Sequence, residues 1–151
     1  MLRLLKNRKA GNAKVEFAIA GPVLLIMMLG AGDFARAFYH AITLVNAAET
    51  GAMFGSRNVI YSGHLGEDGG MADAAKQDAK DLPAVTAMGS RYCDCPGGGK
   101  VDCITGACAG YGPPRVYVST EARQTFKTAA PYPAVVPSNL LLKRTAFMRV
   151  Q

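Results

Sequence analysis

Apolar residues are concentrated near the N-terminus, where residues 17–32 form an uncharged run. From Asp33 onward, apolar side chains recur at intervals of four and three residues, which is the spacing of one helix face. This stripe consists of Phe34, Phe38, Ala41, Val45, Ala48 and Ala52. The two patterns join without a break and therefore predict one long helix over residues 13–54. The stripe needs a partner, which is either the protein's own domain or neighbouring subunits in a helical bundle.

The uncharged run is about 24 Å long as a helix, slightly shorter than a hydrocarbon core of about 30 Å. The first interpretation is a cleaved secretory signal, which needs a small-x-small cleavage site; residues 29–32 resemble such a site. A buried helix of a soluble protein also has this length. We favour a third structure, a membrane anchor extended through Ala35, Ala37 and Phe38, because the helical pattern continues past Asp33. The basic residues before the run place the N-terminus in the cytoplasm and the remainder outside.

The rest of the chain has one short helical segment and two segments with strand character. Residues 56–70 are rich in glycine and indicate a loop. Alanine-rich residues 71–82 predict a second helix that ends before Pro83. Period-2 alternation over residues 116–126 predicts a strand, and residues 140–150 predict another after a connection that contains Pro131, Pro133 and Pro137. An antiparallel pair of these strands, packed on the long helix, would give a helix-plus-sheet layout.

Four cysteines, Cys93, Cys95, Cys103 and Cys108, lie close together in a glycine-rich segment. Neither half has the Cys-x2-Cys spacing of a zinc site. An extracytoplasmic compartment is oxidising, so we predict two disulfides in preference to a zinc site or free thiols. A bond between Cys93 and Cys95 is sterically poor, which leaves two pairings. The reversal expected at residues 96–100 favours Cys95–Cys103 nested inside Cys93–Cys108.

The net charge of +6 comes mainly from the N-terminal residues. Five of the 17 basic residues lie at or before position 14, and the remaining 12 nearly balance the 11 acidic residues. Those five are Arg3, Lys6, Arg8, Lys9 and Lys14. The charge therefore indicates topology, and no basic patch suggests nucleic-acid binding.

Other candidate chemistry is weak. His40 lies on the polar side of the long helix and His64 lies in a glycine-rich loop, and neither has a metal ligand at suitable spacing. Residues 97–100 lack the pattern of a phosphate-binding loop, and Gly-x-Ser-x-Gly does not occur. Asp33 and Arg36 are three residues apart and can pair at the membrane exit. We therefore expect no cofactor, no metal and no enzymatic activity.

A motif lies between the basic segment and the apolar run: Gly11, Asn12, then Glu16 and Phe17. It resembles the N-terminus of a type IV prepilin, and more closely that of the TadE-like pseudopilins of tight-adherence (Flp) pilus systems. The resemblance implies cleavage between Gly11 and Asn12 by a membrane prepilin peptidase, with Glu16 and Phe17 as the recognition and assembly pair. Pro22 agrees with the family pattern. Residues 46–55 resemble a family segment whose two arginines are missing here.

The resemblance implies a division into three parts: a prepilin-type leader over 1–11, a transmembrane and extended amphipathic helix over 12–57, and an extracytoplasmic α+β domain over 58–151. The expected fold class is α+β, with a long N-terminal helix, a second short helix, and a small antiparallel sheet with a disulfide-stapled loop. The chain would be a single-pass protein of the bacterial inner membrane. Its partners would be the prepilin peptidase, other pilins or pseudopilins, and the pilus assembly machinery.

In pilins the carboxylate equivalent to Glu16 is thought to meet the N-terminal amine of the adjacent subunit, so a structural role in pilus assembly is expected. The alternative is an uncleaved, membrane-anchored extracytoplasmic binding module with a disulfide-stapled domain. A secreted enzyme is disfavoured, because no catalytic spacing occurs and a small core leaves little room for a pocket.

Overall fold

The computed structural model describes residues 9–57, 60–63, 65–129 and 137–151, with side chains from residue 13 onward. Most of the predicted leader, His64, Pro131 and Pro133 lie outside the described residues.

The first helix, α1, extends from Lys9 to Ser56 and contains 48 residues. At 1.5 Å per residue it is about 72 Å long. It confirms the predicted long helix and exceeds its bounds slightly at both ends. Pro22 lies inside it without ending it. The N-terminal part projects from the molecule, and the part from Asp33 onward packs against the remaining elements.

The second helix, α2, covers Gly70–Asp78 and confirms the predicted short helix. It ends earlier than predicted because Ala79 and Leu82 turn the chain, with the Leu82 N–H donating to the Ala79 carbonyl at 3.0 Å. A 3₁₀ turn, Tyr61–Gly63, lies within the segment predicted as a loop.

Four antiparallel strands form one sheet in the order β2-β1-β3-β4. Their bounds are β1 Thr86–Asp94, β2 Lys100–Val101, β3 Arg115–Lys127 and β4 Asn139–Arg149. The predicted strands correspond to β3 and β4, which pair along 11 residue pairs from Tyr117↔Arg149 to Lys127↔Asn139. The helices cover one face of the sheet, so the α+β prediction is confirmed.

The main core lies between α1, α2 and the sheet, and it consists mostly of small side chains. Its buried members are Leu44, Ala47, Ala48, Ala72, Ala75, Ala79, Leu82, Ala87 and Ala122. A second cluster, near the C-terminal end of α1, contains Met71, Val118 and Val150. Because alanine side chains are short, the helices approach each other and the sheet closely.

The predicted apolar stripe is only partly correct. Ala48 and Ala52 are buried, whereas Phe34 and Phe38 are 73% and 59% exposed. The packed face of α1 is rotated toward Asp33, His40 and Leu44. Small side chains suit the close packing on that side, and the two polar residues have partners in the sheet region. The aromatic side chains are left outside the protein's own domain.

Candidate assembly surface

The most exposed apolar surface is the projecting part of α1, residues 13–32, which we call the arm. Every residue of the arm is exposed except Gly21 and Gly30, which are half-buried. Large apolar side chains cover it: Val15, Phe17, Ile19, Val23, Leu24, Leu25, Ile26, Met27, Met28 and Leu29. By length and composition α1 can cross a membrane. The arm's side chains are therefore free for lipid or for helices of other proteins.

The predicted processing residues lie at the beginning of α1. Gly11 and Asn12 belong to its helical backbone, and Glu16 and Phe17 are exposed on the arm. Glu16 is one helical turn from Asn12, so the two positions share a face. A carboxylate at this place would be costly in lipid unless a cation meets it.

A shallow apolar groove surrounds Pro22 on the arm, with a volume of about 470 Å³. Ala18, Gly21 and Leu25 are among its lining residues. A Cβ at Gly21 would meet no atom within 4 Å, so this side of the helix is open. Small residues at a helix surface allow the backbone of a second helix to approach closely.

Asp33 fixes the arm to the domain. Its carboxylate is 7% exposed and accepts hydrogen bonds from the Ala129 N–H at 3.0 Å and from Arg36 Nη1 at 3.1 Å. The ion pair with Arg36 confirms the predicted contact. The Arg36 guanidinium also lies 5.4 Å from the centre of the Phe126 ring. The junction therefore couples the end of the arm to the end of β3.

A second polar link lies two turns further along α1. His40 Nδ1 is 2.9 Å from Gln124 Oε1, and Gln124 Nε2 donates to the Pro83 carbonyl at 3.0 Å. The His40 ring packs edge-on against Phe126, with 5.2 Å between ring centres. Since an amide oxygen only accepts, His40 donates from Nδ1. This histidine therefore has a packing role, although the sequence pattern placed it on the polar side of the helix.

Replacing Asp33 by alanine should lower the free energy of unfolding by about 1–3 kcal/mol, because the Ala129 N–H and Arg36 lose a buried acceptor. Amide exchange at Ala129 should also become faster. The control is Asp78→Ala, which removes an exposed carboxylate from the end of α2 and should be neutral or slightly stabilising. Denaturant unfolding and hydrogen exchange measure both effects. Equal behaviour of the two variants would show that Asp33 does not hold the junction.

Both disulfides are present, but the predicted pairing is wrong. Cys93 bonds Cys103, with 5.2 Å between their Cα atoms, and Cys95 bonds Cys108, with 5.5 Å. The two bridges therefore interlace along the chain, whereas the prediction had one nested inside the other. All four cysteines are oxidised, in agreement with the predicted chemistry and against a zinc site.

The pairing follows from the register of the β1–β2 hairpin. Cys93 lies opposite Val101, and the turn after Cys95 brings the Gly99 carbonyl to the Cys95 N–H at 3.2 Å. Cys103 lies two residues beyond Val101, so it returns beside Cys93 and away from Cys95. The reversal was predicted correctly, but it ends too early to bring Cys95 to Cys103.

Asp102 makes the next turn of this loop. Its carboxylate accepts hydrogen bonds from the Thr105 and Ile104 N–H groups, both at 2.8 Å, and from Thr105 Oγ1 at 3.0 Å. The N–H of Thr105 first, and then that of Ile104, hold the pKa of Asp102 below its ordinary value. The turn presents Ile104 to solvent with 85% exposure, at the end of the sheet opposite the arm.

Within the described residues no group of three or more His, Cys, Asp or Glu side chains is placed to hold a metal ion.

Sequence reasoning missed two features of the α1 packing. The first is the Asp33–Ala129 hydrogen bond, which local sequence does not indicate because the two residues are far apart in the chain. Its only sequence signal is that the uncharged run ends at Asp33. The second feature is the close approach of α1 to α2 at Gly51, where a Cβ would lie 2.6 Å from the Met71 carbonyl oxygen.

Residues 11–53 match the family model described as TadE-like protein, which confirms the resemblance predicted from the sequence. The matched range contains the whole arm together with Asp33 and Arg36, and it leaves α2 and the sheet outside. This family implies involvement in Tad pilus assembly. Neither the curated proteins nor the solved structures gave a match.

Proposed function

We propose that the protein is a pseudopilin-like structural subunit that helps to assemble a tight-adherence pilus. In this proposal a prepilin peptidase removes residues 1–11, and the arm then packs against helices of other pilins or pseudopilins. The observation that carries the proposal is an exposed apolar arm with Glu16 in its first turns, within the range that matches the TadE-like family. The subunit acts through contacts and catalyses no reaction.

Cleavage after Gly11 would change the membrane properties of the arm. It removes Arg3, Lys6, Arg8 and Lys9, which otherwise hold the N-terminus in the cytoplasm. The new N-terminal amine of Asn12 lies close to the membrane surface. The arm then loses the charges that oppose its movement out of the bilayer toward a growing fibre.

Glu16 would provide the intersubunit contact. A lone carboxylate in hydrocarbon is unstable, and the ammonium of a neighbouring Asn12 would offset much of that cost. Such a pair would also set the axial step between adjacent subunits. The open groove around Pro22 gives a neighbouring helix a place to pack on the same arm.

The proposed topology is a single span of the bacterial inner membrane, with the N-terminus in the cytoplasm and residues 58–151 outside. Two disulfides agree with this placement, because they persist in oxidising compartments.

The alternative remains an uncleaved anchored binding module. The exposed distal loop at Ile104 is the feature that favours it, since such a loop could contact a partner.

Glu16→Gln tests the proposal in the native host. The variant keeps the shape of the side chain and removes its charge, which leaves a neighbouring ammonium unpaired. Breaking such a pair in a low-dielectric place costs about 3–5 kcal/mol, so the yield of sheared fibres should fall roughly tenfold or more.

The matched control is Glu49→Gln, which changes an exposed glutamate on the same helix but outside the arm. Fibre yield and membrane abundance of the subunit should then match those of the unmodified protein. Wild-type fibre yield from the Glu16→Gln variant, at equal subunit abundance, would refute the role given to Glu16.

A further inference from the structure

The end of the β3–β4 hairpin lies beside the last turns of the arm. We call residues 125–129 and 138–141 the hairpin end. Asp33 binds the backbone of this segment at Ala129, and Leu140 lines a cavity of about 390 Å³ together with Ile26, Gly30 and Phe34. Leu140 thus reaches the level of residues that belong to the apolar arm. The hairpin end and the last turns of the arm occupy the same depth along α1.

Apolar side chains at this depth point away from the protein. Leu141 is 63% exposed on the outer face of the sheet, and Phe34 and Phe38 are exposed on α1. Tyr39 follows them and is also exposed. Aromatic residues at the end of a membrane span are typical of the boundary between hydrocarbon and headgroups.

A charged Asp33 would end the membrane span at residue 32 if its carboxylate were exposed to lipid. Because Asp33 is buried, the span can be longer. Residues 17–32 alone are too short for a hydrocarbon core, but residues 17–38 extend about 33 Å as a helix, close to the required ~30 Å. Asp33 lies within this longer stretch, where Arg36 and the Ala129 N–H satisfy its charge and the hairpin covers it. A core of about 30 Å takes about 20 of these residues, so the hydrocarbon boundary falls within one turn of Asp33, at the level of the hairpin end.

We propose that the hairpin end rests in the interfacial region of the same membrane that the arm crosses, as a second lipid contact. The proposal depends on the arm being a membrane span, as in the proposed function. Leu141, Phe34 and Phe38 would face acyl chains, and the cavity beside Leu140 would hold the end of one. Lys127 and Arg36 have stems long enough to carry their charges to the headgroups.

Lipid is the occupant because Phe34 and Phe38 continue the exposed apolar surface of the arm along α1, and Leu141 is exposed at the same depth on the neighbouring hairpin end. The contact would fix the orientation of the domain on the membrane. It would tie the release of the arm to the release of the hairpin end, because Asp33 joins the two.

Single tryptophans test this contact, since the chain contains no Trp. Three full-length variants are reconstituted into two sets of vesicles, with phosphatidylcholine brominated near the top or near the end of the acyl chain: Leu141→Trp, Leu25→Trp inside the arm, and Ile104→Trp in the distal loop. All three replace exposed apolar side chains. We expect quenching of Trp at 141 to be at least threefold stronger than at 104.

The three positions distinguish failure of the lipid contact from failure of the membrane span. Quenching at 25 but not at 141 would overturn the lipid contact and leave the span intact. No quenching at 25 would show that the arm is outside the bilayer, which would overturn this contact and the proposed function together. Unquenched Trp at 141 with emission that shifts to shorter wavelength as the protein-to-lipid ratio rises would assign the surface to a second copy of the chain, against the proposal.

Discussion

Replacing Gly51 by alanine should lower the free energy of unfolding by about 3 kcal/mol. A Cβ at this position would lie 2.6 Å from the Met71 carbonyl oxygen and 2.6 Å from Thr120 Cγ2. The carbonyl belongs to the backbone of α2, and Thr120 is fully buried in β3. Neither can move aside without separating α1 from the elements that it packs against, so the new methyl group would strain the core.

Two other glycines of α1 serve as controls. Gly32 meets no atom within 4 Å, and alanine there should be neutral or should stabilise the helix by up to about 1 kcal/mol. Gly55 approaches the Met71 side chain, whose flexible thioether can move, so its alanine variant should cost less than that of Gly51. Denaturant unfolding in detergent measures all three. Equal stability of the Gly51 and Gly32 variants would refute the close packing of α1.

Removal of the two disulfides should have the second large effect. Each bridge joins residues 10 or 13 positions apart, and a loop of this size stabilises by about 3 kcal/mol. The bridges interlace, so neither alone holds the whole of residues 93–108. We therefore expect the loss of both to melt the distal loop first, while β3, β4 and the helices keep their own pairing.

Alanine replacement in pairs tests this expectation: Cys93 with Cys103, Cys95 with Cys108, and all four together. Alanine avoids placing a hydroxyl where Cys93 is fully buried. Each pair should lower the unfolding free energy by about 3 kcal/mol, and the protein with all cysteines should show no reactive thiol before reduction. Thiols that react in unreduced protein from the native compartment would contradict the bridges. A loss below about 1 kcal/mol for all four would contradict their stabilising role.

The long periodic elements were predictable because local patterns determine them. The uncharged run and the apolar spacing that follows identify α1, and alternation identifies β3 and β4. The strand β1 was missed because Gly89 and Ser90 interrupt any apolar alternation. Its pairing with β3 along nine residue pairs, from Thr86↔Arg123 to Asp94↔Arg115, supplies what the local sequence lacks.

The packed face of α1 shows a different limit. The spacing of apolar residues predicted that Phe34 and Phe38 belong to the packed face of α1. Close packing against α2 and the sheet instead buries small side chains, together with polar residues that have hydrogen-bond partners. The disulfide pairing depended on β2, a strand of two residues that no local pattern indicates. Asp33 was paired correctly with Arg36 one turn away, while its contact with Ala129 required the tertiary fold.

The measurement that tests the account most directly is the N-terminus and intact mass of the protein isolated from membranes of its native host. The account predicts a mature chain that begins at Asn12. A chain that begins at Met1 would contradict prepilin-type processing and favour the anchored binding module. A chain that begins near Asp33 would contradict it as well, because the arm would then be a signal peptide and the domain a secreted protein.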